Sequence, residues 1–598
     1  MFKNKISLIT VLLIVIYIVS FPFLNGFSNP FTYDTFGYYL YMPMAFLYSD
    51  LGVTDYSLIE NLQNTQGISE SIYQLNKLDN GNYLNKYPAG LSVLLTPFYL
   101  IGHFIAGFTG FPKNGFSFPY QVAITLGCLF YISTSLFILR NLLLRFFSDK
   151  IVAITILLIC LGTNFLNEVT TNTTMPHGLL FFVYGCIFLV TVNWHQNKSK
   201  VNSILLGAIL GLAVMSRPSE IVAVLIPLFW EVKSFSGFKK KIVDNIKFFK
   251  NRLLLVLFSF FSVIFIQMLY WKIYGGSFII NTYNNPGEGL DLLNPHIFDF
   301  LFSFKKGWII YTPMVLFSFV GFYFLKRKNP TLFLSFLLYT VFNFYLVSSW
   351  TNWWYGHSFG SRAMVQSYVV LAFLLACFIR EIPNFKKGFQ FIFATFIALF
   401  LSLNLFQTYQ FKLGIIDKDR MTFDYYKSVF LKLDVNKNNL DHLLSVDRSL
   451  NFFESQEKYD FEDESILFNF NHDSVLTINE SIEEQFVEEH RIPYYNITNK
   501  DYVWMKVSFE AKLTDLNSTI YLVTCMRRRG SGKSYKYQAS DLISDKSFML
   551  NEWNKYTVYY LTPHIRRRSD DFHTYFWYKK GGEVFIKNYT ISTYRPKN

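Results

Sequence analysis

Eleven separate stretches of this chain are apolar over the length of a bilayer-spanning helix, or nearly so: residues 6–24, 118–140, 150–166, 178–194, 203–215, 219–232, 253–271, 308–325, 331–348, 363–379 and 389–408. Hydrocarbon offers a backbone no hydrogen-bond partner, so a segment that enters it must satisfy its own N–H and C=O groups, which an isolated segment does as a helix. The expected fold class is a polytopic α-helical membrane protein with about 11 transmembrane helices. Only 16% of the residues are charged, against about a quarter in an ordinary soluble domain. A small globular enzyme, a disordered regulator and a fibrous protein are excluded. The basic start at Met1–Lys5 is like that of a signal peptide, but the apolar run behind it is too long and no small-residue cleavage site closes it. An uncleaved first helix with its N-terminus in the cytoplasm is expected.

The formal charge of +13 invites a nucleic-acid reading, and the positions of the basic residues answer it. Counting from an inside N-terminus, the inner loops hold Arg140, Arg145 and Lys150; Lys198 and Lys200; the run from Lys233 to Arg252; Lys326, Arg327 and Lys328; and Arg380, Lys386 and Lys387. This is the positive-inside pattern, and no nucleic-acid partner is needed to explain the charge. One apolar stretch falls outside the count. Pro88 to Phe111, broken by Gly and Pro, is expected to be a re-entrant or membrane-surface segment of a long first outer loop, 25–117. The runs on either side of Ser216-Arg217-Pro218 are expected to form a helical hairpin turning at the outer face.

Past residue 408 the composition changes. A connector is expected over 409–460, and after it come short β-rich segments separated by Gly, Asn and Asp turns, which predict an extracytoplasmic β-sandwich over 461–598. The five cysteines have no disulfide or zinc spacing.

Ionisable groups beside a bilayer are costly to keep, so those on the outer side are the candidate functional residues. Asp34 follows the first span, with Thr32 placed to cap its helix; it suits a general base or a ligand of a divalent metal, or is only a helix-start acid. Glu168 and His177 flank a polar turn between apolar runs, where they could contact substrate or simply belong to an interfacial loop. Arg217 sits in an apolar hairpin and needs a partner, either a lipid phosphate or Glu220. Lys305 and Lys306 break the positive-inside trend, which suits an anionic head group; snorkelling is the plainer alternative. In the run Trp354-Tyr355-Gly356-His357-Ser358-Phe359-Gly360-Ser361-Arg362, glycines allow close approach, His357 and Arg362 supply donors, and the aromatic faces of Trp354 and Tyr355 suit a sugar ring. There is no P-loop, dinucleotide fingerprint, nucleophile elbow or zinc helix.

The strings Thr173-Thr174-Met175-Pro176-His177, Ser216-Arg217-Pro218-Ser219, Phe302-Ser303-Phe304-Lys305-Lys306-Gly307-Trp308 and Trp354–Arg362, set in this layout of spans, resemble the GT-C superfamily of integral membrane glycosyltransferases. The branch most similar contains the protein O-mannosyltransferases and the lipid A aminoarabinose transferase, and the similarity covers about residues 1–410; the region 461–598 loosely resembles carbohydrate-binding sandwiches. The resemblance implies a GT-C-like catalytic domain over 1–408 and a glycosyltransferase that takes a sugar from a polyprenyl-phosphate donor, inverting the anomeric centre, for an acceptor hydroxyl on a glycan, lipid or protein. It implies residence in a bacterial cytoplasmic (inner) membrane with the C-terminal domain outside. By the same resemblance Asp34 deprotonates the acceptor or holds a metal, and Arg217 and Lys86 face the donor phosphate; the residue pattern itself adds Lys305, Lys306 and Arg362 as candidate phosphate ligands. The chain departs from relatives that pair adjacent acids, since Thr35 follows Asp34, and from those that place a second acid near His177. A lipid-linked sugar flippase and a sugar-binding sensor without chemistry are the competing classes. Against the flippase stand the lack of an internal repeat and the gathering of ionisable residues on one face.

Overall fold

The computed structural model describes residues 5–596 except 70–71, 284–287, 441, 445–460, 471–474, 480–485, 500–501, 530–531, 533, 544–547 and 564. It divides into two compact units, one of residues 1–284 and 290–434, the other of 285–289 and 435–598. The expected connector is therefore split: Gln410 at the end of the last long helix donates to the carbonyls of Val429 and Lys432, which ties its first part to the helical unit. Residues 445–460 of the connector lie outside the described residues.

The helical unit follows the apolar runs. In chain order it holds α1 (Lys5–Asn25), α2 (Tyr33–Tyr39), α3 (Tyr41–Phe46), α4 (Tyr56–Gln66), a small hairpin β1 (Leu75–Lys77) and β2 (Tyr83–Asn85), α5 (Gly90–Thr109), α6 (Phe118–Leu143), α7 (Asp149–Leu161), α8 (Phe165–Thr171), α9 (Pro176–Gln196) and α10 (Lys200–Ser216). Then come a 3-10 segment, Pro218–Val224, running into α11 (Leu225–Phe229), α12 (Phe235–Gly275), α13 (Ile297–Phe302), α14 (Trp308–Tyr311), α15 (Val315–Lys328), α16 (Pro330–Ser348), α17 (Tyr368–Glu381) and α18 (Lys387–Lys412). Among the described residues, eight helices are long and apolar enough to cross a membrane, or nine if the bent pair α7–α8 is one span. The expected eleven are thus not all met by length. The runs at 203–215, 219–232 and 308–325 form shorter helices because Arg217-Pro218 and Thr312-Pro313 interrupt them, proline lacking the N–H a helix interior needs.

Local chemistry sets which ends lie together. The first-turn amides of α1 have no partner within their own helix. Asp149 accepts from them, Oδ2 from Ile6 N–H at 2.9 Å and Oδ1 from Ser7 N–H at 3.2 Å, while Arg140 Nε donates to Ser7 Oγ at 2.8 Å. The start of α1 and the α6–α7 loop therefore share one side, and the end of α1 lies on the other. α5 is one unbroken helix, not a loop that enters and leaves. It runs back along the first half of α6: the Leu94 carbonyl accepts from Tyr131, and Gly102 lies against Tyr120 and Ala123. Its 20 residues are long enough to cross a membrane. α10 and α12 pack with backbones nearly touching, since a Cβ on Gly207 would collide with Ser259 and the Val256 carbonyl.

The second unit is a sandwich of two antiparallel sheets. One has the order β3 (Phe461–Phe470), β11 (Val584–Pro596), β6 (Trp504–Leu513), β9 (Asn554–Leu561), with β4 (Leu476–Ile478) also on β11. The other runs β5 (Phe486–Pro493), β10 (Asp571–Lys580), β7 (Thr519–Arg527), β8 (Ser534–Asp541). Strand β6 alternates buried and half-buried positions along most of its length, the period of a sheet with one face on a core. Phe509 of that sheet meets Phe576 of the other edge to face at 5.0 Å.

Candidate active site

Asp34 lies in the first turn of α2, where the helix dipole favours a carboxylate. Thr32 takes the cap position with extended backbone, but its hydroxyl makes no capping bond, contrary to the sequence expectation. The carboxylate is held by two tyrosines that flank the small hairpin, Tyr73 just before β1 and Tyr87 just after β2. Both donate to Oδ1 at 2.6 Å, and Arg362 Nη2 faces Oδ2 at 3.5 Å. Burial works to raise the Asp34 carboxyl, but Arg362, the two tyrosine donors and Lys86 outweigh it and hold it below its ordinary value. Asp34 is therefore ionised at neutral pH.

A cavity of about 560 Å³ opens beside this carboxylate, lined by the end of α1, Asp34, Tyr73, Thr125, residues 170–175, Gly356, His357, Arg362 and Lys418. The loop from Tyr355 to Arg362 enters it under backbone strain at Tyr355 and His357, which hold positive φ (44° and 53°), while Gly360 takes its φ of 61° freely. Its geometry is fixed by Asp419, whose Oδ1 accepts from the His357 N–H at 3.0 Å while Oδ2 faces His357 Nδ1 at 2.7 Å. Burial works to raise the Asp419 carboxyl, but His357 and Lys306 hold it down. Arg362 is buried, and its Nε and Nη1 have no hydrogen-bond partner among the described residues.

The other expected residues gather around this centre without all lining the cavity. Lys86 is buried beneath Tyr73, Tyr87 and Tyr283, its ammonium 4.9 Å from the Tyr283 ring. Arg217 ends α10, half-buried. Its expected alternative partner, Glu220, accepts from Tyr184 at 2.7 Å and Gln366 at 3.4 Å and also interacts electrostatically with Arg217. His177 is buried with Nδ1 against Gln366 at 3.1 Å, so it joins that internal network and is not among the residues lining this cavity. Glu168 is also buried behind the cavity wall, bonded to Asn172 at 2.9 Å. Lys306 donates to the Ser358 carbonyl, and Lys305 lies 4.2 Å over the Trp354 ring; both lysines are buried, so neither snorkels nor reaches the cavity. Burial pushes the Lys306 ammonium down to about 7. Trp354 and Tyr355 pack inward, Tyr355 donating to the Val347 carbonyl at 3.0 Å, so of the two neither offers an open face to a sugar in the cavity.

Sequence reasoning missed Tyr73, Gln366 and Asp419 as part of this site. Asp419 had a signal, the charged run Asp417-Lys418-Asp419-Arg420 just beyond the last span. Tyr73 had none. A divalent metal does not fit Asp34: two hydroxyl donors take one oxygen, a guanidinium faces the other, and among the described residues no three His, Cys, Asp or Glu side chains are grouped as ligands.

No family model and no curated protein matches the sequence. Among solved structures the chain is similar to the oligosaccharyltransferase AglB from Archaeoglobus fulgidus, solved in the apo form and in complex with an inhibitory peptide and a dolichol-phosphate. Identity is 14% and the TM-score 0.40, over 74% and 72% of this chain and 59% and 58% of AglB. It is also similar to the arabinosyltransferase EmbB from Mycobacterium smegmatis, at 8% identity and a TM-score of 0.28, over 98% of this chain and 64% of EmbB. The chain spans less than two thirds of the length of these proteins.

Proposed function

We propose that the chain is a membrane glycosyltransferase that moves a sugar from a polyprenyl-phosphate donor to an acceptor hydroxyl at the extracytoplasmic face, with inversion. The observation that carries this reading is the pairing of an ionised, tyrosine-held Asp34 with a buried Arg362 that keeps two N–H-bearing nitrogens unpartnered, at the edge of a cavity large enough for a sugar. The acceptor hydroxyl enters the cavity and Asp34 takes its proton as the oxygen attacks the anomeric carbon. The bond from that carbon to the phosphate oxygen breaks on the opposite face, and the electron pair leaves with the lipid phosphate. Negative charge growing there is met by Arg217, Lys86 and Arg362, acting where burial makes electrostatics strong. Outside the cytoplasm no nucleotide sugar is present, which favours a donor carried on a lipid.

The test is transfer by the purified chain in nanodiscs, offered a panel of polyprenyl-phosphate hexoses and pentoses with a mixed acceptor pool, and separately the matching nucleotide sugars. Release of polyprenyl phosphate with formation of a new glycoside from lipid donors alone supports the proposal. Movement of intact donor between leaflets with no cleavage would make the chain a flippase and overturn it.

A further inference from the structure

The sandwich unit brings two arginine triplets to one end of the fold. Arg527, Arg528 and Arg529 close β7, and Arg566, Arg567 and Arg568 lie in the connection from β9 to β10. They are joined by Asp570, which is buried: its Oδ2 accepts from Tyr535 at 2.7 Å and from the Arg567 N–H at 3.3 Å, and its carbonyl accepts from Tyr494 N–H at 2.8 Å. The loop after β5 is tied in as well. Tyr495 N–H donates to the Arg568 carbonyl at 2.9 Å, and Arg568 donates to the carbonyls of Thr498 and Asn499.

Six guanidiniums are thus concentrated on two neighbouring loops, with the loop after β5 tied beside them. Among the described residues the carboxylates facing them include Asp570, Asp571 opposite Arg527 in the ladder, and Glu489, which lies 3.6 Å from Arg527. Like charges within about a Debye length (~10 Å) repel, so the arrangement is costly unless something anionic shares it. One member is incompletely used within the fold, since Arg528 Nη2 is buried with no hydrogen-bond partner among the described residues. Arg529 is exposed, and Tyr495 beside them exposes 52% of its surface, presenting an apolar ring next to the cationic forks. A planar guanidinium matches phosphate or carboxylate oxygens, and an aromatic face matches the C–H face of a pyranose. Both chemistries occur together in a sugar chain that carries acidic groups.

We infer that this end of the sandwich binds an anionic glycan, a polysaccharide bearing phosphate or carboxylate groups. The site belongs to the second unit, and its binding does not depend on the transfer reaction. The binding couples charge release to stacking, so affinity falls with salt and does not extend to uncharged glycans.

The experiment uses the full chain in neutral detergent, with polygalacturonate as carboxylate probe, phosphomannan as phosphate probe, uncharged dextran as control and anionic-lipid vesicles as the competing surface. The expected result is binding of one or both acidic glycans, at least tenfold weaker at 500 mM than at 50 mM salt, and no binding of dextran. The triple variant R528Q/R529Q/R567Q should lose at least tenfold. The single exposed change Arg529→Gln should lose severalfold, which keeps the test valid if the triple variant misfolds. Tyr495→Ala should weaken the glycans but leave any binding of inorganic polyphosphate unchanged. Equal binding of dextran, indifference to Arg529→Gln, or binding to anionic vesicles with none to either acidic glycan would overturn the inference.

Discussion

Arg362 reaches Asp34 through a single nitrogen at 3.5 Å, while its Nε and Nη1 stay buried and unpartnered among the described residues. A buried ion pair repays its desolvation only when the remaining donors are satisfied, so this one is a poor device for stability alone. Its geometry suits a guanidinium prepared for a second anion beside the carboxylate it already faces.

Replacing Asp34 by Asn keeps the two tyrosine contacts in shape but removes the proton acceptor. Transfer should fall by about 10²–10⁴-fold, the usual range for a lost general base, with donor binding retained. Single-turnover rates and donor affinity measured in nanodiscs decide it, and a variant that transfers at the wild-type rate removes Asp34 from the reaction.

Arg362→Gln removes the strongest group that lowers the Asp34 carboxyl. Asp34 then titrates at higher pH, so the acid limb of the pH–rate profile should move upward, with activity lost sooner as pH falls. The alkaline limb gives no reason to move with it. A profile of unchanged shape, merely scaled down, would mean that Arg362 acts only by binding.

Lys306 is a buried ammonium whose ordinary value, about 10.4, is reached only in the unfolded chain. With the folded value pushed down to about 7, the unfolded chain binds more protons between those limits, and stability should rise with pH across that window. Lys306→Met should abolish this contribution and be neutral or stabilising near pH 7. Thermal melting of both proteins in detergent at pH 7 and pH 9 measures the difference; identical pH responses would place the ammonium in contact with water.

The sequence reading reached the helical fold and most of the sandwich because both rest on local patterns. Long apolar runs can only be helices in lipid, and alternation such as that of β6 can hardly be anything but a half-buried strand. Asp34, Arg217 and Arg362 were legible because a charge among apolar neighbours is conspicuous. Tyr73 was invisible, since one tyrosine among 40 has no distinguishing neighbours and acts only through the fold that sets it on Asp34. The inward packing of Trp354 and Tyr355 was equally illegible, since an aromatic residue near a bilayer reads alike whether it faces a sugar or packs inward.

The approach of α5 to the end of α10 gives a prediction at a distance from the chemistry. A Cβ on Gly90 would collide with the Ser216 amide and lie 2.7 Å from the Met215 carbonyl carbon, both of them backbone atoms that cannot step aside as a side chain would. Arg217 is the next residue, and Lys86 precedes Gly90 by four. Gly90→Val must therefore push apart the two segments that carry these cations. Overpacking of this kind costs about 1–3 kcal/mol, which lowers the melting temperature. If Arg217 and Lys86 act together on the donor phosphate, the donor KM should rise more than stability alone explains, while the acceptor KM stays near its wild-type value. Gly90→Ala, with the smaller intrusion, should show the same split more weakly. A valine variant that melts early yet keeps its donor KM would break the link between this helix contact and the donor site.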